Sequence, residues 1–425
     1  MANKKIDTVS YILLTLIVVI FLIIQNPYAL IIIATVLLFK ITKTAGWSFF
    51  SELSILLWYA YFEGFIQKTI GVTNNTLAWA GEKMPYYYSE LSIASLSFLL
   101  IALGFIQFTK IVNQEKQLYE IDLNISFSIS LMLVILSSVI IILVFPSFPT
   151  FTSNLLIRRT QGLSSFYGLV LFSLFLSSLT VDQSYKHKIL YIFYAFIIFW
   201  SFGHAERVEV LGFLSYVVLK SINYYRAKID FKAYKRLRRK FYIIIILVLI
   251  SAMYIGLTRM ERSAHISVSD LLNNFLVQGT AGDVTYIFNC ATDLWKNGHA
   301  VHGITYIDYI LRLIPGFYSM YSSETMLHAF YPDTMGGQLF YAEAMMNFGI
   351  IGTIIMNLEF FIVMKLIVFR KTMFRAYFII PIIIEVFRTA YYGRASWLLA
   401  CCVEVPIIYF GIWILRKVFY RRIIN

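Results

Sequence analysis

Apolar runs, repeated along most of the chain, decide what it can become. They fall at 9–24, 27–41, 48–66, 90–109, 124–146, 164–181, 189–203, 208–222, 241–257, 337–365, 376–390 and 397–415. Each lies near the roughly 20 residues that a helix needs to cross a bilayer. Backbone amides and carbonyls in lipid find no water, so runs of this kind have to close their hydrogen bonds as helices. A hydrophobic share of 59% against 14% charged residues, with a mean hydropathy of +0.73, excludes a water-soluble domain. The expected fold is an all-α polytopic membrane protein of about 12 transmembrane helices.

The stretch 258–336 breaks the pattern, because it contains no apolar run long enough to span. The chain therefore reads as a membrane block of helices 1–9 over 1–257, a large extracytoplasmic loop over 258–336, and a block of helices 10–12 over 337–425. Three amphipathic helices are expected in the loop, around 267–278, 283–296 and 304–314. Their apolar faces would lie on the membrane surface or cover a cavity, as a lid does. The first apolar run follows a short basic region without a small-residue cleavage site, so it is expected to be a retained span. Of the three cysteines, Cys401 and Cys402 are adjacent in an apolar run, which leaves Cys290 and offers neither a disulfide framework nor a CxxC site.

The net charge of +13 needs placing before it means anything. With the N-terminus in the cytoplasm, 25 of the 36 Lys and Arg residues fall on inner loops and span ends, including the dense run 226–240, and both termini are cytoplasmic. Inner basic residues enforce orientation and meet anionic headgroups, so the charge does not indicate nucleic acid. The remaining 11 lie outside, and eight of those are arginine. A guanidinium grips phosphate oxygens bidentately where lysine offers a point charge, which points to a phosphorylated lipid ligand.

Arg158 and Arg159 stand in an outer loop just before a helix, where they would meet either outer-leaflet phosphates or a ligand. FGHAERVEVLGF places His204, Glu206, Arg207 and Glu209 at an outer hairpin. Ionisable groups at a membrane boundary mark a functional pathway, and the competing reading is a local ion pair that caps the hairpin. Arg394 in YYGRASW has no adjacent acid, whereas Glu385 and Arg388 are spaced to neutralise each other. Glu52, Glu359 and Glu404 fall within spans, as structural or transport groups.

In the loop, Phe317, Tyr318, Tyr321, Phe330 and Tyr331 surround His328, as a sugar-stacking platform or an interfacial aromatic belt. His299 and His302 in NGHAVHG lack a third ligand at a recognisable interval, so no metal and no cofactor is expected. At the loop's exit, Gly336 and Gly337 precede an apolar helix that carries Glu343 near its start, with Asn347 one turn on. Gly349 and Gly352 would let another helix pack closely.

This pattern of spans, a late outer loop, outer arginines and GGQLFYAEAMMNFGIIGT resembles the bacterial Wzy-type O-antigen and capsule polysaccharide polymerases, relatives of the O-antigen ligases. The resemblance covers the whole topology, with GHAERVE matching a short glycine-arginine hairpin. It implies a multi-pass protein of the bacterial cytoplasmic membrane. Such a protein transfers a growing glycan from an undecaprenyl-pyrophosphate carrier to a hydroxyl of a lipid-linked repeat unit. Its partners would be membrane lipids and the pathway's flippase and chain-length regulator. Arg207 and Arg394 would hold the leaving pyrophosphate. Glu343 or His328 would orient or deprotonate the acceptor hydroxyl. The alternatives are a lipid-linked oligosaccharide flippase or other transporter, and a ligase-like glycan transferase. A transporter would show matching interruptions in its helices, which hydropathy does not show.

Overall fold

The computed structural model describes residues 22–70, 87–109, 111–119, 125–149, 185–204, 208–228, 230–260, 279–311, 320–334, 337–368, 373–393 and 405–424, with isolated positions elsewhere. The regular elements are helices: α1 Pro27–Ala45, α2 Phe49–Ile70, α3 Tyr88–Thr109, α4 Ile111–Tyr119, α5 Phe127–Val144, α6 Tyr185–Gly203, α7 Val208–Lys228 and α8 Phe231–Met260. They continue as α9 Gly279–Lys296, α10 Ile304–Leu311, α11 Ser323–Phe330, α12 Ala342–Val368, α13 Met373–Ile384, α14 Val386–Tyr391 and α15 Val405–Ile424. The exception to helix among the described residues is one isolated parallel bridge, Gln338 with Tyr392.

Four of these helices are long and apolar enough to cross a membrane: Pro27–Ala45, Tyr88–Phe108, Phe127–Val144 and Ala342–Val368. On α12, Ile351, Ile355, Leu358, Ile362 and Leu366 are exposed at helical spacing, while Gly352, Met356, Phe360 and Met364 are buried on the other side. A helix apolar all round, with one face buried and the other open, suits lipid and not water.

Helix starts follow local chemistry. Asn26 caps α1 by accepting from the amides of Tyr28 (3.0 Å) and Ala29 (3.1 Å), with Pro27 at the first helical position. The start of α2 is buried, and there Glu115 of α4 supplies the acceptor, 2.9 Å from the Phe49 amide.

Two compact units emerge. The second comprises 116–272, 370–387 and 397–425, where α5 packs on α6 and α7 packs on α8 and α13. Gly212 makes the last contact possible, since a Cβ there would lie 1.9 Å from the Ile384 carbonyl oxygen.

The first unit comprises 1–115, 273–369 and 388–396. In it α1, α2 and α3 pack together, α12 packs against α3, and α9 packs against α2 and α12. The late polar segment thus groups with the first helices, a pairing across the sequence that the three-block reading does not contain. Helix α9 is also more than a lid. Expected over 283–296 as a surface element, it is instead buried on nearly every side, with Ala281, Thr285, Phe288, Cys290, Ala291 and Leu294 fully enclosed. The helix expected at 304–314 is found as α10, and the one expected at 267–278 lies outside the described residues.

Helix α12 is broken. Gly349 has φ 63° and ψ −150°, so its first turns fold away from its long second part. Phe340, just before α12, packs on Phe360 with ring centroids 5.3 Å apart. In one straight helix those positions would be about 30 Å apart. The doubling back rests on a floor of aromatic rings, in which Phe98 and Phe361 touch at 5.2 Å and Phe50 stacks on Phe361 at 5.5 Å.

Candidate functional site

Within the first unit, the broken end of α12 sits against α9. The segment leading into it runs beside residues 390–392: the Gln338 amide donates to the Tyr391 carbonyl (2.8 Å) and the Phe340 amide to the Ala390 carbonyl (2.9 Å). Gly337 is needed for the approach, because a Cβ there would lie 3.2 Å from the Tyr391 carbonyl and 3.3 Å from Val284. Gln338 is 8% exposed, and its side-chain nitrogen donates to Ser323 (2.8 Å) while its side-chain oxygen has no hydrogen-bond partner among the described residues.

Asp283, Tyr286 and Asp293 are half-buried on α9, as are Thr280 and Trp295, and with the fully buried Cys290 they follow i, i+3, i+7, i+10 spacing along one side of the helix. The C-terminal end of α9 is well furnished. The Asp293 carboxylate accepts from the phenols of Tyr87 (2.8 Å) and Tyr331 (2.6 Å). Lys296 pairs with Glu90 and lies 4.1 Å from the Tyr87 ring centroid. Burial, then the bonded Asp293 carboxylate, pushes the Tyr87 phenol up to about 12, so it stays a neutral donor. Burial likewise raises the Tyr331 phenol and pushes the Cys290 thiol up to about 12, which leaves that thiol protonated. Nearer the start of α9, Asp283 makes no hydrogen bond or ion pair with the described residues, and burial alone raises its carboxyl to about 6.

The residues singled out from sequence divide by place. Glu343 is in the first turn of α12 and 2% exposed, whereas His328 is an exposed residue of α11. Asn347 is buried with its amide fully engaged: the oxygen accepts from the Gly303 amide (2.6 Å), and the nitrogen donates to Thr305 (2.8 Å) and to the Glu343 carbonyl (2.7 Å). It ties the broken helix to the start of α10. Gly337 lies beside α9 as described. Gly336, Arg158, Arg159, Arg207 and Arg394 lie outside the described residues, as do Phe317, Tyr318 and Glu404. Arg388 is described, half-buried, with its guanidinium 5.7 Å from the Tyr392 ring centroid. Glu359 is exposed on α12.

In the second unit, the start of the GHAERVE hairpin is pinned by His204. Its ring stacks on Phe145 at 4.9 Å, with Nδ1 2.7 Å from the Trp200 carbonyl and Nε2 3.0 Å from the Ser147 carbonyl. Gly203 permits the close approach, since a Cβ there would lie 2.1 Å from Pro149. Among the described residues no group of three His, Cys, Asp or Glu side chains is placed to hold a metal ion.

The residues that sequence reading passed over are Tyr87, Glu90, Asp283, Tyr286, Asp293 and Lys296. A signal existed in the D-x-x-Y-x-x-x-C-x-x-D spacing, but an amphipathic helix assigned to a surface turns its polar face to water. Comparison with protein-family models, curated proteins and solved structures finds no match to the chain.

Proposed function

We propose that the protein is a membrane-embedded glycosyltransferase of the polymerase type. It would move a growing glycan from an undecaprenyl-pyrophosphate carrier to a hydroxyl of a lipid-linked oligosaccharide repeat unit, on the outer face of the bacterial cytoplasmic membrane. One observation carries this reading: at the C-terminal end of α9 the Asp293 carboxylate accepts from the Tyr87 and Tyr331 phenols, with the Lys296–Glu90 pair beside it. Polar groups inside a membrane protein are costly and mark a functional path. Carboxylates that accept and phenols that donate and stack are the groups that bind sugar hydroxyls and sugar faces.

The donor side of the reaction falls to the outer arginines. Arg158, Arg159, Arg207 and Arg394 would grip pyrophosphate and stabilise the charge that develops as it leaves. The acceptor side needs a base that a hydroxyl can reach; His328 is exposed, while Glu343 is enclosed. Membrane lipids, the pathway's flippase and a chain-length regulator would be its partners, and no nucleic acid is involved.

A second reading, a flippase or other transporter, is favoured by the break in α12 at Gly349, since broken helices form the substrate sites of many transporters. A glycan ligase would share the chemistry and differ in acceptor. A strain lacking the gene separates the three. Loss of a polymerase leaves single lipid-linked repeat units accessible from outside the cell. Units confined to the inner face would overturn the proposal in favour of a flippase, and long glycans still attached to the carrier would overturn it in favour of a ligase.

A further inference from the structure

We propose that α10 is an interfacial helix whose exposed isoleucines lie in the lipid bilayer, at the level where acyl chains meet headgroups, and so hold the late polar segment on the membrane surface. This stands on the lipid-facing character of α12 and not on the reaction proposed above.

Helix α10 is turned inside out for water. Ile307 and Ile310 on the helix and Ile314 just past its end recur at i, i+3, i+7 and are 60%, 66% and 56% exposed, whereas Thr305 and Asp308 are 0% and 3% exposed. A short helix on a water-facing surface buries its isoleucines and leaves its aspartate in solvent. Both buried polar groups are used within the protein. Thr305 accepts from the Asn347 amide nitrogen (2.8 Å), and one Asp308 carboxylate oxygen accepts from the amides of Met320 (3.2 Å) and Tyr321 (3.1 Å). Met320 and Tyr321 are themselves exposed, so the chain returning past α10 adds apolar surface beside the helix.

The contacts of α10 fix its level against α12. The Val301 amide donates to the Met346 carbonyl (3.2 Å), the Gly303 amide donates to Asn347 (2.6 Å), and the Tyr306 ring stacks on Phe348 with centroids 6.2 Å apart. Just past these residues the lipid-facing stripe of α12 begins, with Ile351, Ile355, Leu358, Ile362 and Leu366 exposed. Ile351 to Leu366 covers about 23 Å of helix, most of a hydrocarbon core of about 30 Å. Residues 346–348, and α10 with them, therefore fall at one edge of that core. Polar residues gather at the same edge: the Trp295 ring of α9 packs against Gly349, and Lys296, Asn297 and His299 beyond it are exposed. Apolar side chains held at that boundary, on a helix whose polar groups face the protein, suit the zone between acyl chains and headgroups. Lipid already covers the adjoining α12 stripe, so it reaches these isoleucines without a further partner.

The test uses full-length protein with Cys290, Cys401 and Cys402 replaced by alanine, reconstituted in phosphatidylcholine vesicles. An environment-sensitive fluorophore is placed on Ile307→Cys, Ile310→Cys or Ile314→Cys, one at a time, with Asn297→Cys as the control in water and Leu358→Cys as the control in the core. All five side chains are exposed, so a label meets no packed neighbour. A doxyl quencher on the fifth acyl carbon should quench the three isoleucine-site labels at least about twofold more than one on the twelfth, and aqueous iodide should quench them at least about twofold less than the Asn297→Cys label. Iodide quenching equal to that of Asn297→Cys would put this face in water and overturn the proposal. Labels reached by neither lipid quencher nor iodide would be covered by protein, a second copy or another segment, and would overturn it too. Stronger quenching from the twelfth carbon, the pattern expected of Leu358→Cys, would place α10 in the core and overturn its interfacial position. Glycan transfer is not measured, so each of these outcomes leaves the proposed function standing.

Discussion

Asn347 shows how much a single side chain can be asked to do. From sequence it shares a helix face with Glu343 and reads as a ligand group. In the structure its amide closes three hydrogen bonds, to the Gly303 amide, Thr305 and the Glu343 carbonyl. Residue type and spacing could place it on a face, but only packing shows that its hydrogen-bonding capacity is spent on the chain itself. Asn347→Ala leaves buried partners unpaired and should cost about 2–3 kcal/mol. Asn347→Asp should be worse, because it sets a carboxylate oxygen against the Glu343 carbonyl and buries an anion. Thermal unfolding in detergent checks the order, wild type above Ala above Asp. An Asp variant as stable as wild type would show that the amide nitrogen carries no weight. Asp283 contrasts with Asn347: burial raises the proton affinity of its carboxyl, which counts against stability at neutral pH.

At the level of elements, the break in α12 organises the site. The run 337–365 reads as one apolar helix, since hydropathy averages over the break and every residue in it suits a span. Gly349 makes the break possible twice over. Its φ of 63° is open to glycine and strained for other residues, and a Cβ would fall 2.3 Å from the Trp295 ring of α9. Gly349→Ala should therefore cost on the order of 1–3 kcal/mol in backbone strain, with the steric overlap added to that. Adding Trp295→Ala should relieve the overlap and leave the strain, so the double variant recovers part of the loss in unfolding temperature. Full recovery would mean that the positive φ is not required. Gly352 serves the same fold, because a Cβ there would lie 2.5 Å from the Ala344 carbonyl across the turn.

For the whole molecule, the assignment of 25 of 36 basic residues to inner loops and ends is the basis of the expectation that both termini and 226–240 are cytoplasmic and 258–336 is outside. In a variant stripped of Cys290, Cys401 and Cys402, a membrane-impermeant thiol reagent applied to intact cells should label Asn297→Cys and leave Lys235→Cys unlabelled. The reverse pattern would invert the topology and take the proposed outer-face chemistry with it. The sequence by itself determined the helical, lipid-facing character of the chain, because runs of apolar residues allow no other backbone in a bilayer. It also marked where helices begin, since Asn26-Pro27 carries its capping chemistry within three residues. Only the tertiary structure decided that α9 is enclosed by α2 and α12, that Gly349 folds α12 back on itself, and that Asp293 meets Tyr87 and Tyr331. Those outcomes depend on contacts between segments up to about two hundred residues apart, such as Tyr87 with Asp293. Hydropathy is a local average, so it cannot tell a helix that packs inside other helices from one that lies on a surface.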